Sequence, residues 1–266
     1  MKARKRFGQH FLKDERVLNH IVSSARLQET DTVIEIGPGR GALTTYLAAA
    51  VDHLFAVEID RDLVPMLKVS FPNATIINED ILRADLSALL PQETRGVRLV
   101  GNLPYNISSP LILKLADLVR EHPGFMADSH FMLQKEMAER LAAVPGSKAW
   151  GRLSVMAQVF FEIDLLFDVG PESFSPPPKV MSSVIRIMPR PSLLIDEDRL
   201  ALLDRILKTA FAARRKRLAN ALKSLDVPWD EVSDESLNPD MRADDVSLVA
   251  FIRLAEVLSA SSEEKE

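Results

Sequence analysis

The run TVIEIGPGRGALTTYLAAAVDHLFAVEID, residues 32–60, decides how this chain folds. It opens on a β-branched and apolar strand pattern, Thr32 to Gly37, which turns through Pro38-Gly39-Arg40-Gly41 into a helical pattern near residues 41–50. A second apolar run, His53 to Asp60, closes on Glu58 and Asp60. Strand, glycine-rich turn, helix and strand in this order make a βαβ unit with parallel strands. The glycines admit a ligand close to the backbone, and an acid ~20 residues further on is placed to grip ribose hydroxyls.

The alternation continues outward. Strands are expected at Ala74 to Asp80, Val97 to Asn102 and His130 to Gln134, with helices near residues 62–71 and 108–121. Pro65 and Pro110 fall in first helical turns, where a missing N–H costs little. Two later runs, Ile163 to Val169 and Val180 to Met188, suggest an antiparallel hairpin at the sheet edge around Pro176-Pro177-Pro178. Pro189, Pro191 and the polar stretch to Asp198 suggest a linker. Residues 199–258 carry only helical periodicity, with Leu207, Phe211, Leu218, Leu222 and Leu225 on one face. An α/β domain over residues 1–190 and a small all-helical domain over residues 191–266 are therefore expected.

Composition narrows the chemistry. With 266 residues, 47% of them hydrophobic, the chain can bury a core. No apolar run approaches the ~20 residues that span a bilayer, and the basic start, Met-Lys-Ala-Arg-Lys-Arg, lacks a following signal-peptide stretch, so a cytoplasmic protein is expected. The absence of cysteine excludes disulfides, a thiol nucleophile and zinc thiolates. His10, His20, His53, His122 and His130 show no helical metal-ligand spacing, and no metal is expected. The net charge of −5 hides two basic clusters: Lys2, Arg4, Lys5 and Arg6, then Arg205, Lys208, Arg214, Arg215, Lys216, Arg217 and Lys223. Each suits either a polyanionic partner or a solvated surface.

The acids distinguish between cofactors. Glu35, two residues before the first glycine, would repel the pyrophosphate of NAD but suits a cationic amino-acid end such as that of S-adenosylmethionine. Glu58 can then accept from two ribose hydroxyls and Asp80 from the exocyclic adenine amine; both also suit plain capping or arginine pairing. The fourth strand ends in Asn102-Leu103-Pro104-Tyr105-Asn106-Ile107-Ser108, at the carboxyl edge where open α/β sheets bind ligands. Adenine N6 is a poor nucleophile because its lone pair is delocalised into the ring. Acceptors that hold its N–H groups out of plane localise that pair, and the Asn102 side-chain oxygen with a carbonyl of Leu103 or Pro104 can supply them. Tyr105 can stack on an extruded base. The methylated amine loses its proton readily, so no strong base is required. The competing assignment is an ordinary turn after a buried strand.

These segments together resemble the small-subunit (16S) ribosomal RNA adenine N6,N6-dimethyltransferases. The resemblance is carried by Phe7-Gly8-Gln9-His10-Phe11-Leu12, Glu35 to Thr44, Val57-Glu58-Ile59-Asp60, Asn102 to Ser108, Gln134 to Leu141, Gly151-Arg152-Leu153-Ser154 and Phe174 to Ser183. Phe211 to Leu222 and Met241 to Phe251 extend it over nearly the whole chain. It implies a Rossmann-like S-adenosylmethionine-dependent methyltransferase fold with a small C-terminal helical domain that engages RNA. It implies that His10, Leu12, Gly37, Glu58, Asp80 and Asn102 bind the cofactor, that Asn102, Leu103 and Pro104 act at the target amine, and that Tyr105 and Phe174 sandwich the target adenine. The implied partner is 16S rRNA within the small ribosomal subunit or its precursor, met by a monomer. Position 10 is histidine where many relatives carry asparagine, Trp150 replaces a usual tyrosine, and Asn78-Glu79 precede Asp80 where glycine or alanine is commoner. Phe174, ahead of three prolines, also suits a packing plug, and Lys135 and Arg140 suit either phosphate contacts or a solvated helix face. Rival functions are a large-subunit RNA methyltransferase of the antibiotic-resistance type, a non-catalytic assembly factor and a DNA adenine methyltransferase.

Overall fold

The computed structural model describes residues 10–104 and 106–263. The basic cluster at Lys2 to Arg6, the Phe7-Gly8-Gln9 segment and Tyr105 lie outside the described residues. Two compact units emerge, one of residues 1–138 and 162–189, the other of residues 139–161 and 190–266.

In the first unit, β1 (Phe11–Leu12) leads into α1 (Glu15–Ala25). The Asp14 side chain caps α1 by accepting from Arg16 N–H at 3.0 Å, and Leu18, Ile21 and Ala25 form its buried stripe. The alternating core follows: β2 (Thr32–Ile36), α2 (Ala42–Ala48), β3 (His53–Glu58), α3 (Val64–Ser70), β4 (Thr75–Asn78), β5 (Val97–Asn102), α4 (Ser108–Glu121) and β6 (Met126–Gln134). Five of these strands are parallel, and the inner ones are buried along almost their whole length, as strands covered by helices on both faces must be. After α5 (Lys135–Leu141) and α6 (Arg152–Phe160), β7 (Phe161–Val169), β8 (Phe174–Ser175) and β9 (Ser182–Pro189) return to the sheet region. The seven-stranded order is β4-β3-β2-β5-β6-β9-β7, with β9 antiparallel to β6. A separate antiparallel pair joins β1 to β8, setting Phe11 opposite Ser175 and Leu12 opposite Phe174.

From β2 the chain builds outward through β3 to β4, then crosses to the other side of β2 to lay down β5. The crevice of such a sheet opens where that direction reverses, beyond the carboxyl ends of β2 and β5. Those ends carry Glu35 and Asn102.

The second unit is helical. It contains α6, α7 (Glu197–Ala212), α8 (Leu218–Ala221), α9 (Trp229–Val232) and α10 (Leu248–Glu263), with Leu203, Ile206, Leu207, Phe251 and Leu254 buried. The break after β9 falls at Pro189/Arg190, but residues 139–161, expected in the α/β domain, pack with the helical unit. Two bonds of Ser154 brace this segment internally, and one from Trp150 ties it to the rest of the unit. Ser154 Oγ accepts from Gly151 N–H at 3.1 Å and donates to Arg140 O at 2.6 Å, while Trp150 Nε1 donates to Val246 O at 3.0 Å. The apolar face expected over residues 207–225 is divided between elements: Leu207 and Phe211 lie on α7, whereas Leu218 begins α8 after turns at residues 213–216.

Candidate functional site

The glycine-rich turn is held from both sides. Gly37 N–H donates to Val57 O at 2.9 Å, and Gly39 N–H donates to Glu58 Oε2 at 2.9 Å. The other carboxylate oxygen of Glu58 accepts from Asp60 N–H at 2.8 Å. One acid thus ties the turn after β2 to the end of β3, and each of its oxygens keeps a lone pair for a further donor. Gly37 has φ +69°, and a Cβ placed on it would meet nothing within 4 Å. The space above that backbone is open, as a cradle for a ligand requires.

Glu35 lies beneath this cradle. It is 1% exposed and its Oε2 makes no hydrogen bond. Burial pushes its carboxyl up to about 8, opposed by the Thr44 hydroxyl and reinforced by the nearby Glu58 charge. Burial also raises Glu58, against the opposing effect of the Asp60 and Gly39 amides. A buried carboxyl with one oxygen left without a hydrogen bond, next to an open glycine turn, fits a cationic ligand group and disfavours a pyrophosphate.

Across the crevice, Asn102 Nδ2 donates to His10 O at 3.0 Å. A carbonyl can only accept, so this bond fixes the amide's orientation and leaves Oδ1 as the acceptor on the other side. His10 is itself held, with Nδ1 2.8 Å from Pro176 O. The Pro104 carbonyl accepts from Ile107 N–H at 3.1 Å and from Ser108 Oγ at 3.3 Å, which occupies both its lone pairs.

A single pocket in the first unit brings the expected residues together. His10, Leu12, Gly37, Glu58, Asp80, Asn102, Leu103, Pro104 and Phe174 all line it; Tyr105 lies outside the described residues. No helix follows directly on Asp80 for it to cap; its Oδ1 instead closes a turn by accepting from Leu82 N–H at 3.0 Å, and its Oδ2 stands 3.8 Å from Arg83 Nε, the arginine pairing weighed from sequence. Phe174 is 2% exposed and belongs to a hydrophobic cluster with Leu12, Val33, Met132 and Val169, so the packing role is present alongside its place in the pocket wall. Sequence reasoning missed Phe11, Arg40, Ile59, Ile81 and Asn106 in the lining. Of these, Arg40 stacks its guanidinium 4.5 Å from the centroid of the Phe11 ring, a contact with no signal in either segment alone.

The charged candidates divide. Lys135 ion-pairs with Asp168, which also accepts from Ser183 Oγ at 2.6 Å. Within the helical unit, Arg214 reaches Asp244 at 3.4 Å and Arg217 reaches Asp240 at 2.8 Å, whereas Arg215 and Lys216 between them are exposed. Among the described residues, no group of three or more His, Cys, Asp or Glu side chains could hold a metal, and no helix is long and apolar enough to cross a membrane.

Known proteins resemble this chain over nearly its whole length. The small subunit ribosomal RNA methyltransferase A of Coxiella burnetii (strain RSA 493) is 45% identical over 97% of this chain and 99% of its own length. The protein of the same name from Pseudomonas syringae pv. tomato is 44% identical over 97% and 95%. Among solved structures, a dimethyladenosine transferase from Plasmodium falciparum shares the fold with a TM-score of 0.75 at 23% identity, covering 95% of this chain and 98% of its own. The 23S rRNA methyltransferase ErmE superposes with a TM-score of 0.72 at 26% identity, covering 94% and 99%. Residues 1–260 match the ribosomal RNA adenine dimethylases, and with the glycine turn, the acid that tethers it and the oriented asparagine in one pocket, this chain belongs to that family.

Proposed function

We propose that the protein transfers methyl groups from S-adenosylmethionine to N6 of two adjacent adenosines near the 3′ end of 16S rRNA, producing N6,N6-dimethyladenosine within the small ribosomal subunit. The observation that carries this is the fixed orientation of Asn102, whose Oδ1 is left to accept a hydrogen bond at the carboxyl edge of β5. When bound, the cofactor supplies an electrophilic methyl group on a sulfonium. Every other part of the chemistry belongs to this chain. Glu58 presents its remaining lone pairs to the ribose hydroxyls, Glu35 faces the cationic amino-acid end, and Gly37 leaves room for the backbone to approach.

At the target base, Asn102 Oδ1 accepts one N6–H. The second acceptor is the Leu103 carbonyl, because that of Pro104 is already engaged by Ile107 and Ser108. Two acceptors out of the ring plane localise the N6 lone pair toward the methyl group. This interaction strengthens as the amine becomes cationic in the transition state, which is where it accelerates the reaction. The proton then leaves to water. Tyr105 and Phe174 flank the extruded base, and the exposed Arg215 and Lys216 of the helical unit meet RNA phosphates. The protein works in the cytoplasm as a monomer.

Identity to the small-subunit enzymes near 45%, against 26% to ErmE, favours the small-subunit substrate over the resistance-type rival. Dimethylation removes both N–H donors, so reverse transcriptase halts at the modified base. Small subunits from a deletion strain should permit read-through at two adjacent adenines near the RNA 3′ end. Purified protein with S-adenosylmethionine should restore both stops, and Asn102→Ala should not. Naked RNA should be a much poorer substrate than the particle. Stops in large-subunit RNA instead would transfer the function to the rival, and binding without any stop would make the protein an assembly factor.

A further inference from the structure

Between β4 and β5, residues 79–96 form turns but no helix or strand. A crossover of that length without regular structure must find partners for its carbonyls elsewhere. Ile81, Ala84, Leu86 and Leu90 anchor it by burial. Its first turn is built on Asp80, whose carbonyl accepts from the N–H groups of Arg83 and Ala84, both at 2.8 Å. The carbonyls of Ile81 and Ala84 are taken by one side chain on another element. Lys114 of α4 donates from Nζ to Ile81 O at 2.8 Å and to Ala84 O.

This single ammonium spans the turn that carries Asp80. It also belongs to the helix that begins at Ser108, directly after the Asn102 to Ile107 segment. Lys114 therefore fastens the pocket wall formed by Glu79, Asp80 and Ile81 to the helix that follows the target-amine acceptors. Partial burial lowers the pKa of the Lys114 ammonium below its ordinary value, and the charges of Asp85, Glu79 and Asp80 offset only part of that cost. An apolar side chain of the same length would fill the space yet leave both carbonyls without a donor.

We propose that Lys114 is a positioning residue for cofactor recognition, holding the turn at Ile81 and Ala84 so that Asp80 stands where it accepts from the exocyclic amine of the cofactor's adenine. The proposal rests on the adenosyl cofactor assigned above.

Calorimetric binding of two stable ligands tests it: S-adenosylhomocysteine, and its purine analogue lacking the 6-amino group. The full-length protein should prefer the amine-bearing ligand by about ten- to hundredfold, the range for one hydrogen bond to a charged group. Asp80→Ala should abolish that preference. Lys114→Met should reduce it to about threefold or less while affinity for the deamino analogue changes less than about twofold, and Lys114→Arg should preserve most of it. A merely structural lysine would instead weaken both ligands equally, and that result, or an unchanged preference, would overturn the proposal. Should Lys114→Met not fold, Lys114→Gln, with donors but no charge, provides the same comparison. If Asp80→Ala keeps the full preference, the assignment of Asp80 to the adenine amine has failed and the role of Lys114 falls with it.

Discussion

Replacing Glu35 by glutamine should make the protein more stable at neutral pH, and the gain should grow with pH. An ordinary glutamate titrates near 4.5, whereas burial holds Glu35 at about 8. Between those two values the folded chain carries a proton that the unfolded chain has released. Stability then falls as pH rises, by about 1.4 kcal/mol per pH unit for one such proton. Below the window both states are protonated, above it both are ionised, and the slope vanishes at either end. Glutamine copies the shape of the protonated carboxyl and removes the titration. Between about pH 5.5 and 7.5 the wild-type protein should therefore lose about 3 kcal/mol relative to Glu35→Gln.

Both tryptophans, Trp150 and Trp229, belong to the helical unit, so fluorescence would follow the wrong part of the chain. Hydrogen exchange of the β2 amides, Val33 to Ile36, reports opening of the unit that contains Glu35. The opening free energies of the two proteins should converge toward pH 5 and diverge steadily above it. Parallel curves across this range would show that Glu35 is ionised in the fold and that its unpartnered oxygen has been misassigned. A cationic ligand beside Glu35 should bind more tightly as pH rises through the same window, because each ionised carboxylate is then ready to receive it.

Glu58→Ala should weaken S-adenosylmethionine binding by more than a lost ribose contact alone, because Gly39 loses its tether as well; calorimetry should show at least about a tenfold loss, and unchanged affinity would remove Glu58 from the site. Arg215→Glu with Lys216→Glu should weaken binding to small subunits and flatten its salt dependence, since fewer counterions are released. Arg217→Ala, which breaks an exposed pair with Asp240, should leave that salt slope nearly unchanged. Equal slopes for all three proteins would make the cluster a solvated surface.

Much of the sheet was legible because buried parallel strands are written as continuous apolar runs, and the Val97 to Asn102 strand has the bounds its sequence suggests. The site residues clustered at strand ends for the same reason: a βαβ order forces every carboxyl edge to one side of the sheet. What escaped was short or remote. The β1 and β8 strands have two residues each, too few for any period, and their partners lie 162 and 164 positions apart. Helix α1 does carry a signal in the sequence, since Asp14 precedes Leu18, Ile21 and Ala25 at helical spacing. The assignment of residues 139–161 to the helical unit depends on bonds such as Trp150 to Val246, 96 positions apart, which local pattern does not encode. Periodicity likewise carried the apolar face at Leu207 and Phe211 across the turns at residues 213–216, because a break with suitable length preserves the phase of buried positions.

The bond from Asn102 to His10 sets an order on the birth of activity. His10 is held by Pro176, and its neighbours Phe11 and Leu12 pair with Ser175 and Phe174. A nascent chain that has reached residue 160 already owns its glycine turn, Glu58 and Asn102, but not the strand that seats its own beginning. Its asparagine amide is then free to turn either way, and half of those orientations present a donor to the target amine instead of an acceptor. If Asn102 acts as proposed, competence arrives only when the segment around residue 176 has left the exit tunnel and closed back on residues 10–12. On the proposed mechanism, an enzyme that methylates ribosomal RNA stays silent for most of the time that a ribosome is making it.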